Sequence, residues 1–244
     1  MAGKLYLCAT PIGNLEDITL RVLRTLKEVD LIAAEDTRNS IHLLNHFDIK
    51  TPLTSYHEYN KVDKAYQLVE KMQQGTNIAL ITDAGTPGIS DPGEDLVRIC
   101  YEQGIEVTSL PGAAACITAL TLSGLPTRRF SFEAFLPKEK KERAAVLEEL
   151  KNDTRTLIVY EAPHHLLGTL KELQNALGDR RLTVCRELTK KFETAFQTTF
   201  SEAIRYYEEQ GVRGECVLVI EGRSREELVQ EAQQSWEAIS VEEH

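Results

Sequence analysis

The sequence lacks the features that mark several common classes of protein. No apolar run approaches the ~20 residues that cross a bilayer, and the N-terminus MAGKLYLCATPIGN has neither the basic segment nor the long apolar segment of a secretory signal. The five cysteines stand singly, without a C-x-x-C pair or histidines at metal-binding spacing. We therefore expect a cytoplasmic protein without a membrane partner, whose cysteines are buried as small apolar residues.

Motifs for common nucleotide and hydrolase sites are also missing. The glycines do not form G-x-G-x-x-G and no Gly-Lys-Ser or Gly-Lys-Thr loop occurs, so an NAD or ATP site has no motif to support it. Ser90 does not lie in a G-x-S-x-G elbow. The net charge of −10, from 28 basic and 38 acidic residues, argues against a general nucleic-acid coat. It leaves room for local basic strips such as Arg128–Arg129 and Lys190–Lys191.

Short apolar runs alternate with helical patterns, and this alternation predicts an α/β fold with a mostly parallel N-terminal sheet. In the first half, the predicted strands cover residues 4–9, 30–34, 52–55, 77–82 and 106–110, and the predicted helices cover 19–27, 37–46, 63–74 and 91–102. The pattern breaks around residues 128–141, where prolines and a cluster of charges occur. We therefore predict one domain over 1–125 and a second over 126–222.

The second half predicts a mixed sheet. Its predicted strands cover 156–160, 182–186, 192–200 and 215–221, with helices over 139–151, 165–177 and 201–209. The alternating segment FETAFQTTF is typical of an antiparallel strand with one wet face. The remaining residues, 223–244, form an acidic helical tail that ends in SVEEH without a cap, which suggests a truncated extension.

Chemistry is expected where parallel strands end, because ligands of open α/β sheets bind at the carboxyl edge. The predicted strands are followed by ATPIGNL, AAEDTR, TSYHEYN, TDAGTPGISDPG and LPGAAA, and in the second half by EAPHH and RELTK. The glycines and prolines of ITDAGTPGISDPG allow peptide groups to approach a neutral or zwitterionic ligand closely. Ordinary turn punctuation is the alternative interpretation of the same residues.

The polar residues at these strand ends also have two interpretations. Asp36 caps a helix in the simpler one, with Arg38 solvated, and His57 and Glu58 are surface loop residues. No set of His, Asp and Glu residues has the spacing of a zinc site. In the functional interpretation the same side chains bind or activate a substrate.

The ordered motifs ATPIGNLEDIT, AAEDTR, ITDAGTPGISDPG, LPGAAA, FEAFLP, YEAPHH, RELTKKFE and GECVLVIEG resemble one family. They are similar to the bacterial small-subunit ribosomal RNA cytidine 2'-O-methyltransferases, which belong to the tetrapyrrole methylase superfamily of S-adenosylmethionine enzymes. The resemblance implies two α/β domains with S-adenosylmethionine in a cleft between them and no metal. It also implies a homodimer that acts on small-subunit ribosomal RNA or on the assembled small subunit.

The family's cofactor contacts carry over by motif to twelve positions. They are Pro11, Ile12, Asp83, Gly85, Thr86, Ile89, Ser90, Ala114, Ala115, Tyr160, Glu187 and Val219. Where tetrapyrrole methylases have Gly-Asp-Pro, this sequence has Gly85-Thr86-Pro87. The carboxylate is therefore lost at Thr86, whereas a backbone contact would survive.

Transfer to a ribose hydroxyl calls for a group that takes or orients its proton. The first candidates are Glu35 and Asp36, with Arg38 gripping a phosphate, and they are followed by His57, Glu58, Glu161 and Lys190. Two other functions stay open, namely methylation of a tetrapyrrole or other small molecule and a noncatalytic adenosine-binding module. The family also has a basic helical extension after the position of Gly222, where this sequence has its acidic tail.

Overall fold

The computed structural model of the chain describes residues 2–224, 226, 228, 229 and 233. The predicted helical tail over 223–244 lies largely outside the described residues. The chain divides into two compact units, of which the first ends at Ala115 and the second begins at Cys116. No helix among the described residues is both long enough and apolar enough to cross a bilayer.

The first unit contains a five-stranded sheet in which every neighbouring pair is parallel. Its strands are β1 (Lys4–Cys8), β2 (Leu31–Ala34), β3 (Leu53–Ser55), β4 (Ile78–Ile81) and β5 (Glu106–Leu110), in the spatial order β3-β2-β4-β1-β5. Its helices are α1 (Leu20–Glu28), α2 (Thr37–His46), α3 (Lys61–Gln73) and α4 (Gly93–Glu102), and a short 3-10 helix covers Leu15–Asp17.

Helices cover both faces of this sheet, which explains why its strands are apolar without alternation. All four residues of the central strand β4 are buried. Ile78 and Leu80 pack into a core with α3 and α4. Ala79 and Ile81 face the opposite core, which contains residues of α1 and α2.

The second unit contains a mixed five-stranded sheet in the order β6-β7-β10-β8-β9. Helix α5 (Ala115–Leu122) precedes β6 (Phe130–Phe135), α6 (Lys140–Lys151), β7 (Thr156–Glu161), α7 (Leu166–Leu177), β8 (Arg181–Arg186), β9 (Thr194–Thr199), α8 (Phe200–Gln210) and β10 (Cys216–Ile220). Strands β6 and β7 are parallel, and the other neighbouring pairs are antiparallel. One core lies between this sheet and helices α6, α7 and α8. The predicted fold class, with a parallel and then a mixed sheet, is confirmed.

The structure differs from the sequence expectation in the segment 128–141, where strand β6 lies. The register of β6 against β7 shifts between Phe132 and Ala134, and Ala134 has a φ of 51°. This bulge interrupts the two-residue period by which a strand is recognised in a sequence. Strand β9 is also shorter than the predicted strand over 192–200, because Phe200 begins α8.

The division between the units comes earlier in the chain than the predicted boundary at 125/126. The turn after α5 is bound to the second sheet, since Thr183 Oγ1 and Gln197 Nε2 both donate to the carbonyl oxygen of Ser123 at 2.8 Å. Helix α5 therefore belongs to the second unit from Cys116 onward. The predicted cleft for the cofactor stays a prediction.

Candidate functional site

The five parallel strands of the first unit end at one edge of the sheet, and their loops meet there. Strands β1 and β4 are neighbours, and the loops that follow them are joined by two peptide hydrogen bonds. Thr10 N donates to Gly85 O at 2.9 Å and Gly85 N donates to Thr10 O at 3.1 Å. The hydroxyl of Thr10 also donates to Thr82 O at 3.1 Å. These bonds fix the start of the glycine-rich loop beside Pro11 and Ile12, both of which are buried.

The carboxylate of Asp91 organises the glycine-rich loop from within. It accepts hydrogen bonds from Gly88 N (2.9 Å to each oxygen), Ile89 N (3.1 Å) and Gly93 N (2.8 Å). Ser90 has a φ of 67° inside this turn. From the sequence, Asp91 is predicted only to begin a helix, although an Asp directly before Pro-Gly is a usable signal for such a turn.

Thr86 connects the glycine-rich loop to the turn after β5. Its hydroxyl donates to Ala113 O at 2.9 Å, so the side chain serves an internal contact. A Cβ at Gly112 would lie 2.5 Å from Ala9 Cβ, which shows how closely the β5 turn approaches the end of β1. Ala114 and Ala115 continue this turn and are half-buried. The ends of three strands are thus connected to one another by hydrogen bonds and close packing around the glycine-rich loop.

Three carboxylates meet where β2 and β4 end. Asp83 Oδ1 accepts from Asp36 N at 3.2 Å, and Asp83 Oδ2 accepts from Asn39 Nδ2 at 3.1 Å. Asp83 N donates to Glu35 Oε2 at 3.5 Å. Burial raises the pKa of Glu35, and the nearby carboxylates of Asp83, Asp91 and Asp36 raise it further, against the opposing hydrogen bond from Asp83 N.

Asp36 has the opposite electrostatic environment. It caps α2 by accepting from Arg38 N at 2.8 Å, and it accepts from Arg38 Nε at 3.1 Å and Nη2 at 2.7 Å. The hydrogen bond from the Arg38 side chain is the main reason that the pKa of Asp36 falls to about 2. The side chain of Arg38 is 88% exposed. Asp36 is therefore a weak proton acceptor that orients Arg38, whereas Glu35 is the stronger base.

His57 and Glu58, which follow β3, contact helices rather than this carboxylate group. His57 N donates to Asn60 Oδ1 at 2.9 Å, and Glu58 pairs with Lys61 at 2.8 Å. Lys61 also pairs with Asp95 of α4 at 2.9 Å. Within the described part of the chain, neither His57 nor Glu58 forms a hydrogen bond or ion pair with Glu35 or Asp36.

The two catalytic candidates of the second unit have structural contacts. Glu161 is 7% exposed, and its carboxylate accepts from Ala162 N at 2.8 Å and from Thr169 Oγ1 at 2.6 Å. Lys190 Nζ lies 3.0 Å from Glu187 Oε1 and 3.0 Å from Glu215 Oε2. These contacts hold α7 against β7 and close the loop after β8.

The remaining predicted cofactor residues of the second unit differ in accessibility. Tyr160 is half-buried beside Phe132, and its hydroxyl oxygen accepts from Cys116 N at 2.9 Å. Val219 is fully buried on the central strand, paired with both β7 and β8, so its side chain has no accessible surface. No group of three or more His, Cys, Asp or Glu residues that could hold a metal occurs among the described residues.

Comparison with known proteins agrees with this architecture. A sequence model of the family described as Tetrapyrrole (Corrin/Porphyrin) Methylases matches residues 4–204. A protein of Halalkalibacterium halodurans named "Ribosomal RNA small subunit methyltransferase I" is 50% identical over 242 residues, which cover 99% of this chain and 83% of the relative. The Thermotoga maritima protein of the same name is 44% identical over 221 residues, covering 91% of this chain and 99% of the relative.

Solved structures share the fold at low sequence identity. A diphthine synthase aligns with a TM-score of 0.72 and 12% identity, covering 90% of each chain. A uroporphyrin-III C-methyltransferase from Thermus thermophilus complexed with S-adenosylhomocysteine aligns with a TM-score of 0.62 and 16% identity, covering 90% of this chain and 92% of that one. This chain therefore belongs to the tetrapyrrole (corrin/porphyrin) methylase family. The predicted methyltransferase class is confirmed.

Proposed function

We propose that this chain methylates the ribose 2'-hydroxyl of a cytidine in small-subunit ribosomal RNA, with S-adenosylmethionine as donor. The observation that carries the proposal is the 50% identity, over 99% of this chain, to a protein named as a small-subunit ribosomal RNA methyltransferase. The polar carboxyl edge of the first sheet supports a polar acceptor.

The loops after β1, β4 and β5 suit a zwitterionic donor. Glycine allows these loops to approach one another closely: Gly85 is buried with a φ of 87°, and a Cβ added there would meet Ile12 Cγ2 at 3.4 Å and Ala113 O at 3.5 Å. We assign donor binding to this surface, where Asp91 and Thr86 hold the peptide groups in place. S-adenosylmethionine supplies a methyl group on a sulfonium, a strong leaving group.

Glu35 is the group that accepts the ribose 2'-hydroxyl proton in this proposal. The oxygen must lose its proton as it gains the methyl group, and a carboxylate with a raised pKa is the better acceptor. Burial provides that raised pKa at Glu35. Arg38 holds a phosphate of the acceptor, because a guanidinium has five N–H donors and Asp36 engages only part of the exposed Arg38 head group.

The test is transfer of tritiated methyl from S-adenosylmethionine to small ribosomal subunits, and to the naked RNA, from a strain that lacks the modification. We expect label in the small-subunit RNA, at one cytidine whose 3' phosphodiester resists alkaline cleavage because its 2'-oxygen is blocked. Label on a base would contradict the ribose assignment. Donor binding by calorimetry without transfer to any RNA would instead favour the small-molecule or noncatalytic alternatives.

The homodimer and the cytoplasmic location are further parts of the proposal. Sedimentation equilibrium of the full chain would give a mass twice the 27.5 kDa of one chain if the dimer forms. A concentration-independent single-chain mass would contradict it. Fractionation of cells that make the chain at its natural level tests the location.

A further inference from the structure

The loop between β8 and β9 contains two non-glycine residues in the left-handed backbone conformation. Glu187 and Thr189 have φ angles of 52° and 66°, and non-glycine residues populate this left-handed region sparsely. Lys190 N donates to Glu187 O at 3.0 Å and Glu193 N donates to Lys190 O at 3.1 Å. Strain of this kind persists only where surrounding contacts enforce it, and it is concentrated at functional sites.

Glu187 and Lys190 enforce this shape from inside the loop. Glu187 Oε1 accepts from Glu215 N and from Lys190 Nζ, each at 3.0 Å. A Cβ at Gly214 would lie 2.4 Å from Glu187 Cγ, so the loop packs directly on the chain that enters β10. The charge of Lys190 is thereby paired with carboxylates of the protein, so Lys190 is not the cation that the loop offers to a ligand.

The tip of the loop presents an aromatic ring beside a cation. Phe192 is 66% exposed, and the Lys191 ammonium lies 5.6 Å from the centre of its ring. In the described part of the chain, Lys191 forms no ion pair with a carboxylate. The loop thus holds a large apolar side chain in solvent next to an available positive charge.

Arg186 adds a second cation to the same place. Its guanidinium donates to Phe192 O, Arg213 O and Thr194 Oγ1, each at 3.3 Å. All three acceptors are uncharged, and Arg186 forms no ion pair in the described part of the chain, although, after the hydrogen bond from Lys190, its charge helps to lower the pKa of the neighbouring Glu187 carboxyl. On a chain whose net charge is −10, the local combination favours a polyanion with flat apolar groups.

We propose that Phe192, Lys191 and Arg186 form a platform for single-stranded RNA, in which an unpaired base stacks on Phe192 and the two cations contact the flanking phosphates. Proteins recognise unpaired RNA through such stacking, which tolerates any base, together with salt-dependent phosphate contacts. The proposal rests on the proposed function in that RNA is the acceptor. It adds a binding surface in the second unit, made of residues that are not among those assigned to proton or methyl transfer.

The test is fluorescence anisotropy with the full chain and an unstructured, fluorescein-labelled RNA of about 12 nucleotides at low ionic strength. Phe192→Ala should weaken binding about 5- to 100-fold, since base stacking on an aromatic side chain contributes that much. Phe192→Trp should retain the affinity. Tyr101→Ala is the matched control, because Tyr101 is a similarly exposed aromatic residue (69%) on α4, and its RNA affinity should equal that of the wild type.

Lys191→Gln should reduce the slope of log affinity against log salt by about 0.7, the value for one phosphate contact on a single strand, and Lys191→Arg should restore it.

In methyl transfer, Phe192→Ala should raise the KM for RNA and leave the KM for S-adenosylmethionine unchanged. Wild-type affinity in Phe192→Ala, or absence of RNA binding by the wild type, would overturn the platform. So would a changed oligomeric mass in Phe192→Ala with unchanged RNA affinity, which would make this surface a contact between copies. Failure of the wild type to methylate RNA would overturn the proposed function alone, because the platform is judged by the binding measurements.

Discussion

Glu35 and Asp36 are adjacent in the chain, yet their surroundings move their pKa values in opposite directions. Burial raises the pKa of Glu35 from its ordinary value of 4.5, while the Arg38 side chain lowers that of Asp36. Two titratable groups separated in this way are the usual arrangement for dividing tasks at an active site. We infer that Glu35 handles the proton and that Asp36 orients Arg38.

The first prediction concerns the base. Glu35→Gln should lower kcat for RNA methylation about 10²–10⁴-fold and leave the KM for S-adenosylmethionine close to that of the wild type. Because the base must be deprotonated, the wild-type rate should rise with pH through the raised pKa of Glu35, above 4.5. This rise of the rate with pH should be absent in Glu35→Gln when the rate of single-turnover methyl transfer is measured as a function of pH.

Asp36→Asn is the comparison for this measurement. It removes the partner of Arg38 and weakens the cap of α2 but leaves the Glu35 carboxyl in place. We expect it to raise the KM for RNA and to keep the rise of the rate with pH. Normal turnover in Glu35→Gln would exclude Glu35 as the base.

The second prediction concerns Thr86. Thr86→Ala removes the hydrogen bond from its hydroxyl to Ala113 O, which should lower the free energy of unfolding by about 0.5–1.5 kcal/mol. Thr86→Ser keeps the hydroxyl and should retain most of the wild-type free energy of unfolding. Donor affinity measured by calorimetry should fall less than tenfold in Thr86→Ala, because peptide groups hold the donor. A larger loss would give the side chain a direct role.

At the scale of the element, the glycine-rich loop depends on one carboxylate that serves three peptide N–H groups. Asp91 accepts from residues on both sides of itself, and Gly93, which begins α4, is packed so closely that an added Cβ would lie 2.7 Å from Gly88 N. The loop is thus joined to the start of the following helix. A loop ordered by its own contacts has a smaller ordering cost when it binds a ligand.

The third prediction follows from this arrangement. Asp91→Ala leaves the N–H groups of Gly88, Ile89 and Gly93 without their acceptor, so the KM for S-adenosylmethionine should rise at least about tenfold, since each lost bond contributes ~0.5–1.5 kcal/mol. Asp91→Asn retains one acceptor oxygen, so its KM for S-adenosylmethionine should lie between those of the wild type and Asp91→Ala. The matched control is Asp63→Asn, at an exposed position on α3. Equal KM values in Asp91→Ala and the wild type would show that the loop forms without this carboxylate.

The elements that the sequence predicts best are those with one dominant pattern. Strand β4 is buried on both faces and therefore appears as a continuous apolar run, Ile78–Ile81. Strand β6 escapes detection because its bulge breaks the period of the pattern and its residues are only partly buried. Local sequence signals identify an element only where the backbone keeps a regular period.

The site shows the same limit. The order of the motifs predicts that Glu35, Asp36, Asp83 and the glycine-rich loop lie at one edge of the sheet. The parallel sheet of the structure brings these residues together at that edge. The sequence does not distinguish Glu35 from Asp36, because that difference arises from burial and from the side-chain geometry of Arg38. The sequence also does not show that Glu161 and Lys190 have structural partners, because their contacts with Thr169 and Glu215 are tertiary.

At the scale of the whole molecule, acidic residues outnumber basic ones, and several of them are held in specific ion pairs with Arg or Lys. Asp153 is the most informative case, because its side chain is only 12% exposed. Its carboxylate accepts from Arg155 Nη2 at 2.6 Å, Nε at 3.0 Å and the peptide N at 2.8 Å, and its carbonyl oxygen accepts from Arg223 N. The turn before β7 is thereby connected to the chain that leaves β10. The Arg155 side chain lowers the pKa of Asp153 from 3.8.

The last prediction is the pH dependence of stability at this position. A carboxyl whose pKa is lowered by folding stabilises the protein above its unfolded value of 3.8 and loses that contribution as the pH falls through the lower folded value. At pH ~7, Asp153→Asn should therefore reduce the free energy of unfolding by about 1–3 kcal/mol, because it leaves Arg155 without its charged partner. Once the pH lies below the lowered folded pKa of Asp153, the wild type and Asp153→Asn should converge, since both then carry an uncharged side chain. Urea unfolding followed by circular dichroism at several pH values measures the difference, with Asp63→Asn as the control for removal of one exposed charge. A difference between the wild type and Asp153→Asn that stays constant down to acid pH would show that packing at the turn, rather than the charge of Asp153, stabilises it.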